Sequence, residues 1–433
     1  MAKAMIRTAM LCAAIATPAQ AARVDYVVDG GVEHDDNARL TAADPVSQRI
    51  WRAGLGFLAT QESSTVQARL AGRADYRDYQ DPMYSDSVEG ILSGHLNWVL
   101  LPGRLDFTVE DELELQPVDR FAPDSPDNRQ QVNVLSLGPN FMFRLGPSVD
   151  GRVEVRYIDT DAEVTEEFNS TRHGAALRLA RALGSGASLS FNGQWQDVDY
   201  DDERAARDHE RGDLYARYER DFHRARVAID AGWSQVDYAD GGRHRDPLLR
   251  GELGWQAGPR SRLSLVAVRQ FSDAAEAALA SSESTTTTTI PGTVLVDDAR
   301  INPAVYAEHR VTAGYHYTGE RAALRLEPYA QRIDYLDDAE TDEKSRGVLL
   351  GFDYRLRPTV ELSAWADMQR VEYAAPEMRN NTWRLGMALE KYWTRHWSTS
   401  LGYYRYTREN ALPGTDVDQN VWYLSVAYRN RPL

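Results

Sequence analysis

Cysteine is all but missing. The 433-residue chain has one, Cys12, within the opening stretch MAKAMIRTAMLCAAIATPAQA. That stretch sets Lys3 and Arg7 before an apolar run and closes on Ala19-Gln20-Ala21, the order of a secretory signal peptide. We expect residues 1–21 to be removed, with cleavage after Ala21, or after Ala22 as the alternative. Leu11 stands where a lipoprotein site needs a small residue. Residues 22–433 hold no cysteine, so the mature chain can enter an oxidising compartment without relying on disulfides.

Positive charge is scarce, and lysine scarcer. Of the 49 basic residues, Lys3 and Arg7 leave with the first 21; the 47 that remain face 65 acidic ones, which takes the charge from −16 to −18. Lys344 and Lys391 are the only lysines left, so arginine carries nearly all the positive charge. That balance argues against a nucleic-acid partner. Long apolar runs are missing too. Nothing after the opening stretch approaches the about 18 consecutive apolar residues of a membrane-spanning helix. A β-barrel is not excluded by this, because it needs only alternate residues to be apolar.

Catalytic signatures are absent. None of the nine histidines stands in a His-Glu-x-x-His arrangement, and there is no Gly-x-Ser-x-Gly elbow. The carboxylates are too scattered to single out an acid pair. We therefore expect no enzyme, no cofactor and no metal. EHDDNAR, from Glu33 to Arg39, clusters acids that could hold Ca²⁺, but it lacks spaced ligands and a turn glycine, which favours a solvated loop.

What is present is a period of two, almost throughout. Val66, Ala68, Leu70, Gly72 and Ala74 alternate with Gln67, Arg69 and Arg73; Leu105, Phe107 and Val109 alternate with Asp106, Thr108, Glu110 and Glu112. No convincing amphipathic helix interrupts it. Short breaks near 62–63, 102–103, 146–147, 184–185, 223, 258–259, 319–320, 358 and 396 alternate with longer ones at 34–47, 80–86, 117–129, 162–169, 202–209, 239–246, 275–302, 338–343, 374–379 and 411–417. The spacing predicts an all-β chain of about 20 strands, 18 being the alternative, many about 14 residues long. Soluble strands average roughly 5–6 residues, whereas membrane strands need about 9–11 to cross. The expected fold is one antiparallel, up-and-down transmembrane β-barrel over 22–433, with short periplasmic turns and longer extracellular loops, in the bacterial outer membrane among its lipids. A soluble propeller or solenoid would show shorter strands and a fixed repeat. The Ser/Thr-rich stretch 275–302 reads as a long extracellular loop, either disordered or folded into the mouth to restrict it.

Four strands close on an aliphatic residue, an acid and a tyrosine: QWQDVDY, GWSQVDY, YAQRIDY and DMQRVEY, ending at Tyr200, Tyr238, Tyr335 and Tyr373. By parity Trp195 and Trp233 face lipid at an aromatic girdle, the acids point outward beyond it, and the tyrosines face the lumen at the mouth. The tyrosines then either stiffen the rim by packing or, with Trp365 deeper, offer ring faces on which sugars stack. Parity also puts charges inside the wall. Glu110, Glu112 and Glu114 form one column and Arg152, Glu154 and Arg156 another, with Arg325, Glu327 and Asp367 on later strands. Paired, they hold the barrel's shape; unpaired, they set a transverse field across a water-filled lumen.

The first expected strand ends in Asp35-Asp36-Asn37. With the leading peptide and the strands ending in tyrosine and acids, this resembles outer-membrane barrels of the "beta-barrel porin 2" type and the related exopolysaccharide-operon barrels. The resemblance implies a channel that exports exopolysaccharide without chemistry on it, working with polysaccharide export proteins of the periplasm or inner membrane. It carries over no catalytic residue. One departure is the C-terminus, where Tyr428 is followed by RNRPL and the Phe or Trp on which most outer-membrane barrels end is missing. A general diffusion porin for small solutes is the alternative, and an outer-membrane lipid- or glycan-modifying enzyme the second.

Overall fold

The computed structural model describes residues 22–81, 84–119, 121–166, 169–184, 186–202, 208–273, 275, 304–337, 341–374, 378–410 and 415–431. The expected signal segment 1–21 and nearly all of 275–302 lie outside them.

Twenty strands make one closed antiparallel sheet. They are β1 Arg23–Asp35, β2 Gln48–Glu62, β3 Val66–Tyr79, β4 Ser87–Leu101, β5 Leu105–Gln116, β6 Gln130–Leu145 and β7 Val149–Ala162. Next come β8 Ser170–Gly184, β9 Ala187–Tyr200, β10 His209–Asp221, β11 Ala225–Tyr238, β12 Arg243–Gly258, β13 Ser261–Ser272 and β14 Tyr306–Thr318. The last six are β15 Ala322–Tyr335, β16 Glu343–Arg357, β17 Val360–Tyr373, β18 Met378–Tyr392, β19 Trp397–Glu409 and β20 Val417–Arg429. Each strand pairs with its successor, and β20 returns to β1 in a register running from Val27↔Arg429 to Asp35↔Val421. Closure removes both free edges, which an open sheet in lipid could not satisfy.

The alternation of side chains explains the surface. Phe191, Trp195, Leu214, Ile229, Trp233 and Met387 all stand exposed on the outer wall, while their chain neighbours point into the lumen. Exposed tryptophans fall near both ends: Trp51, Trp195, Trp233, Trp383 and Trp422 towards the long loops, Trp98, Trp255, Trp393 and Trp397 towards the short turns. Two such girdles around an apolar band are the surface of a barrel that crosses a membrane. This is the outer-membrane β-barrel fold.

The short turns fall where the sequence breaks. Gly103 and Gly146, at φ 69° and 67°, supply the left-handed residue that two of them need. Pairing shifts by one residue beside four short turns, at Val99/Leu101, Ala182/Gly184, Gln256/Gly258 and Arg355/Arg357. None of the register shifts touches the long-loop end, so the faces read from parity hold up to the mouth.

Candidate functional site: the lumen and its mouth

The four strand-end tyrosines do face the lumen at the long-loop end, but three are buried. Tyr200, Tyr238 and Tyr373 are 6%, 6% and 4% exposed; Tyr335 is half-buried. Tyr238 packs with Val236, Phe271 and Val305, and its ring meets His209 at 5.7 Å and His244 at 5.9 Å. Tyr200 packs on Val198, with His209 on its other side at 6.3 Å. Tyr335 meets Tyr306 edge-on at 5.7 Å. Tyr373 lies under the edge of Phe121, 5.1 Å away. All four make packing contacts, the first of the two roles open to these rings, and Tyr335 keeps part of its surface.

Phe121 belongs to the β5–β6 loop, and this loop folds into the mouth. Asn128 staples it into shape: its side chain accepts from the Asp119 amide at 2.7 Å and donates to the carbonyls of Asp119 and Pro123 at 2.8 and 3.0 Å. The tip then reaches a wall seven strand steps round the ring from β5. Arg384 of β18 donates to Asp124 at 2.9 Å, and Arg408 of β19 donates to the carbonyls of Ala122 and Phe121 at 2.5 and 2.8 Å. At its root, Arg129 bridges to Glu89 at 2.9 Å, and the chain of pairs continues through Arg77 and Glu33 to Arg52. A segment read from sequence as an ordinary extracellular loop is a strap across the lumen.

A second chord comes from β13. Arg172 of β8 donates to Asp273 at 2.7 Å, and Ala275 packs on Val132, Val134, Ile158 and Ala162 of β6 and β7. Burial pushes the Asp273 carboxyl up, but Arg172 against it, with His209 and Arg211 behind, more than reverses this and holds it down at about 2. So the residue opening the Ser/Thr-rich stretch does turn inward. The β1–β2 loop covers the mouth from a third side: Ala38 packs with Ile50, Tyr79 and Tyr84, and Leu40 with Tyr406 and Val417.

Asp35, Asp36 and Asn37 act as a latch. Asp35 accepts from Gln419 at 2.7 Å, Asp36 from Asn420, and Asn37 donates to the Asp418 carbonyl at 2.8 Å. Three consecutive residues at the end of β1 thus grip three near the start of β20. Among the described residues, no group of three or more His, Cys, Asp or Glu side chains is placed to hold a metal.

The charges chosen from sequence stand in the lumen wall, with partners. Glu110 meets His95 at 3.3 Å and Glu112 accepts from Ser93 at 2.6 Å. Glu114 accepts from Gln116 at 3.3 Å. Glu154 lies between Arg152 and Arg156 at 2.8 and 3.1 Å. Glu327 faces His316 at 3.1 Å and Arg325 at 4.0 Å, and Asp367 bridges to Arg384 at 2.9 Å. Wetness changes along the axis. Arg73 and Asp75, midway up, are 1% and 0% exposed, whereas Arg325 near the short turns is 59% exposed.

Trp365 is the chosen aromatic that keeps an exposed face. It lies over Gly386 of β18, where any Cβ would strike the ring, and its centroid is 5.7 Å from Tyr404. The same device recurs on neighbouring strands. Tyr329 of β15 lies over Gly347, whose Cβ would come within 2.7 Å of it, and Tyr423 of β20 lies over Gly402. From β15 to β20 the lumen wall therefore carries rings laid flat on glycines, the cross-strand pairing that fills the gap a glycine leaves in a sheet. Sequence parity found Trp365 but missed Tyr329, Tyr404 and Tyr423 as a set; the signal was an inward glycine opposite each ring.

No family model matches the chain, and no curated protein does. Among solved structures the barrel is similar to the siderophore receptor PirA from Pseudomonas aeruginosa, at 12% identity and a TM-score of 0.45, over 95% of this chain and 81% of that one. It is similar to the FrpB iron transporter from Neisseria meningitidis, at 8% identity and 0.47, over 94% and 81%. It is also similar to a variant of the ferric enterobactin receptor PfeA from Pseudomonas aeruginosa, at 10% identity and 0.47, over 95% and 81%. All three TM-scores lie below one half, so the likeness bears on neither cargo nor mechanism. What the chain shows is the fold of an outer-membrane β-barrel, and no match supports the porin or exopolysaccharide-barrel families that its Asp35-Asp36-Asn37 stretch resembles.

Proposed function

We propose that the chain is an outer-membrane channel that passes exopolysaccharide outward, a conduit with no chemistry on its cargo. One observation carries this reading: the band of rings on glycines over β15–β20, with Trp365 at its centre. A sugar ring has an apolar C–H face and a polar rim. Flat aromatic faces hold the first, and wall carboxylates and guanidinium groups exchange hydrogen bonds with the second. The binding is weak at each step and repeated, which is what a conduit needs. The short-turn end is then periplasmic, where the lumen is wettest. Energy comes from a periplasmic or inner-membrane export partner, because a barrel supplies none. Conductance in planar bilayers tests the proposal: neutral polysaccharide should block the open current, and Trp365→Ala should shorten the blocks. Blocks unchanged in Trp365→Ala would refute the ring-band route.

The strapped mouth favours a second reading, a general diffusion porin in which the β5–β6 loop sets the size limit. Transport of small uncharged sugars at wild-type rates, with no polymer block, would select it. A protease site inserted at 283–289 should be cut on intact cells and one at 184–185 protected; the reverse pattern would turn the barrel over in the membrane.

A further inference from the structure

The outside of the barrel carries a site of its own. A groove of about 740 Å³ runs over the outer wall from β11 to β17, within the range of small-molecule pockets. The pairing registers build it. One row of outward residues from β11 to β15 reads Ile229, Gly251, Ala267, Val311 and Ala330. Glycine and two alanines lower the floor between larger aliphatic neighbours. On β16 and β17 the same row becomes Arg346 and Arg370. The next row towards the mouth holds Arg269, His309, Arg332 and Lys344 and ends on Glu372 of β17, opposite Lys344. An apolar trough thus ends against a bank of cations.

The cations exceed their local acids. Arg269 is met by Asp246 at 2.7 Å, Arg332 by Asp334 at 2.7 Å and Arg370 by Glu372 at 2.6 Å. Lys344 and Arg346 are exposed and have no side-chain partner among the described residues. An excess of positive charge on a chain of net −16 is a local anomaly, and Lys344 is one of its three lysines. Elsewhere the same level is acidic: on β9 and β10, Asp197 pairs in register with Glu210. Height fixes what the cations meet. Trp383 is the cross-strand partner of Met368, one outward position below Arg370, so the bank stands just above the aromatic girdle, where lipid headgroups lie.

We propose that this groove binds a phosphorylated glycolipid of the outer leaflet, one acyl chain in the trough and a phosphate held by Lys344 and Arg346, with Arg332 and Arg370 flanking. Arginine offers a planar fork to phosphate oxygens and lysine a compact charge. The site rests on the chain spanning the outer membrane and is independent of what passes through the lumen.

The test uses the full barrel in detergent, with binding of a diphosphorylated, multiply acylated glucosamine lipid read by native mass spectrometry. Lys344→Gln/Arg346→Gln/Arg370→Gln should weaken it by about a hundredfold, since each cation near a lipid surface contributes about fivefold. Arg260→Gln/Arg321→Gln/Arg395→Gln, the same charge change at the short turns, should leave it unchanged. The dephosphorylated lipid should bind wild type no better than the intact lipid binds the first variant. Heat-modifiable gel mobility checks folding; if the triple variant does not fold, Lys344→Gln alone should lose about fivefold. Equal binding by wild type and the folded variant would overturn the proposal, as would equal loss in the short-turn control. Displacement by inorganic phosphate as effective as by the lipid would overturn it too, by making the site one for free phosphate.

Discussion

The Asp36 carboxylate accepts two hydrogen bonds from Asn420, 384 residues later: from the backbone amide at 2.7 Å and the side-chain amide at 2.8 Å. This is the seam of the barrel, where the first strand meets the last. A hydrogen bond to a charged group contributes about 1.5–3 kcal/mol when shielded and less at an exposed rim. Asp36→Ala should therefore lower unfolding stability by about 1 kcal/mol, and Asn420→Ala, which also frees the Tyr403 hydroxyl, should cost less in the Asp36→Ala background than in wild type. Urea unfolding in lipid vesicles, run as a double-mutant cycle, measures this; fully additive losses would show that the two residues act apart.

The strap across the mouth is held by two arginines. Arg384→Ala with Arg408→Ala removes the bonds to Asp124, Ala122 and Phe121 while leaving the strands in register. Single-channel conductance should rise and become noisier. A conductance identical to wild type would mean that the loop does not limit the pore.

The four strand-end tyrosines separate packing from cargo contact. With all four replaced by Ala, the barrel should lose stability, since each aromatic pair is worth about 0.5–1.5 kcal/mol beyond its buried area. Export per folded barrel should stay normal. Loss of export at unchanged thermal stability would return these rings to the cargo path.

Neighbouring residues on β15 test the faces. Leu324 is outward and Arg325 inward, so Leu324→Arg should impair assembly far more than Arg325→Leu. A charge facing mid-membrane lipid costs about 2–4 kcal/mol, and a lumen change mainly tunes selectivity. Heat-modifiable mobility reads assembly, and equal yields would contradict the face assignment.

The link between Asp273 and Arg172 has a defined pH range. The folded carboxyl titrates near 2, below its unfolded value of about 3.9. Its contribution is therefore fully present above about pH 4 and is lost as pH falls through 2. The part of the conductance set by this link should be flat from neutral pH to about pH 4 and change only below it. Asp273→Asn should show the acid form at neutral pH. A change in conductance centred near pH 6 would point instead to the latch at the mouth, where burial pushes the Asp35 carboxyl up to about 6.

The strand count, the turn positions and the two faces were legible because lipid enforces strict alternation and short turns need turn residues. Arg73–Asp75, Arg211–Asp213 and Arg217–Glu219 are pairs two residues apart on one strand. A period of two puts them on one face, so the pairing of wall charges was also readable in principle. The strap was not. QPVDRFAPDSPDN carries turn and loop residues, and its inward course depends on Arg384 and Arg408, more than 250 residues away. No local pattern encodes such a contact; the one clue was a lone phenylalanine in a polar loop. Nor did parity alone show that Tyr200 and Tyr238 would be covered, since it gives direction and not what lies opposite.

The drying of the lumen from the short turns towards the mouth has an electrical consequence. Conductors in series drop voltage where resistance is highest. Arg325 stands in water at 59% exposure, whereas Arg172 and Asp273, beside the strap, are 3% exposed each. A larger share of an applied potential therefore falls across the mouth layer, with low-dielectric protein concentrating the field there. A charged solute that entered from the short-turn end would then feel the applied field most strongly at the mouth, late in its passage.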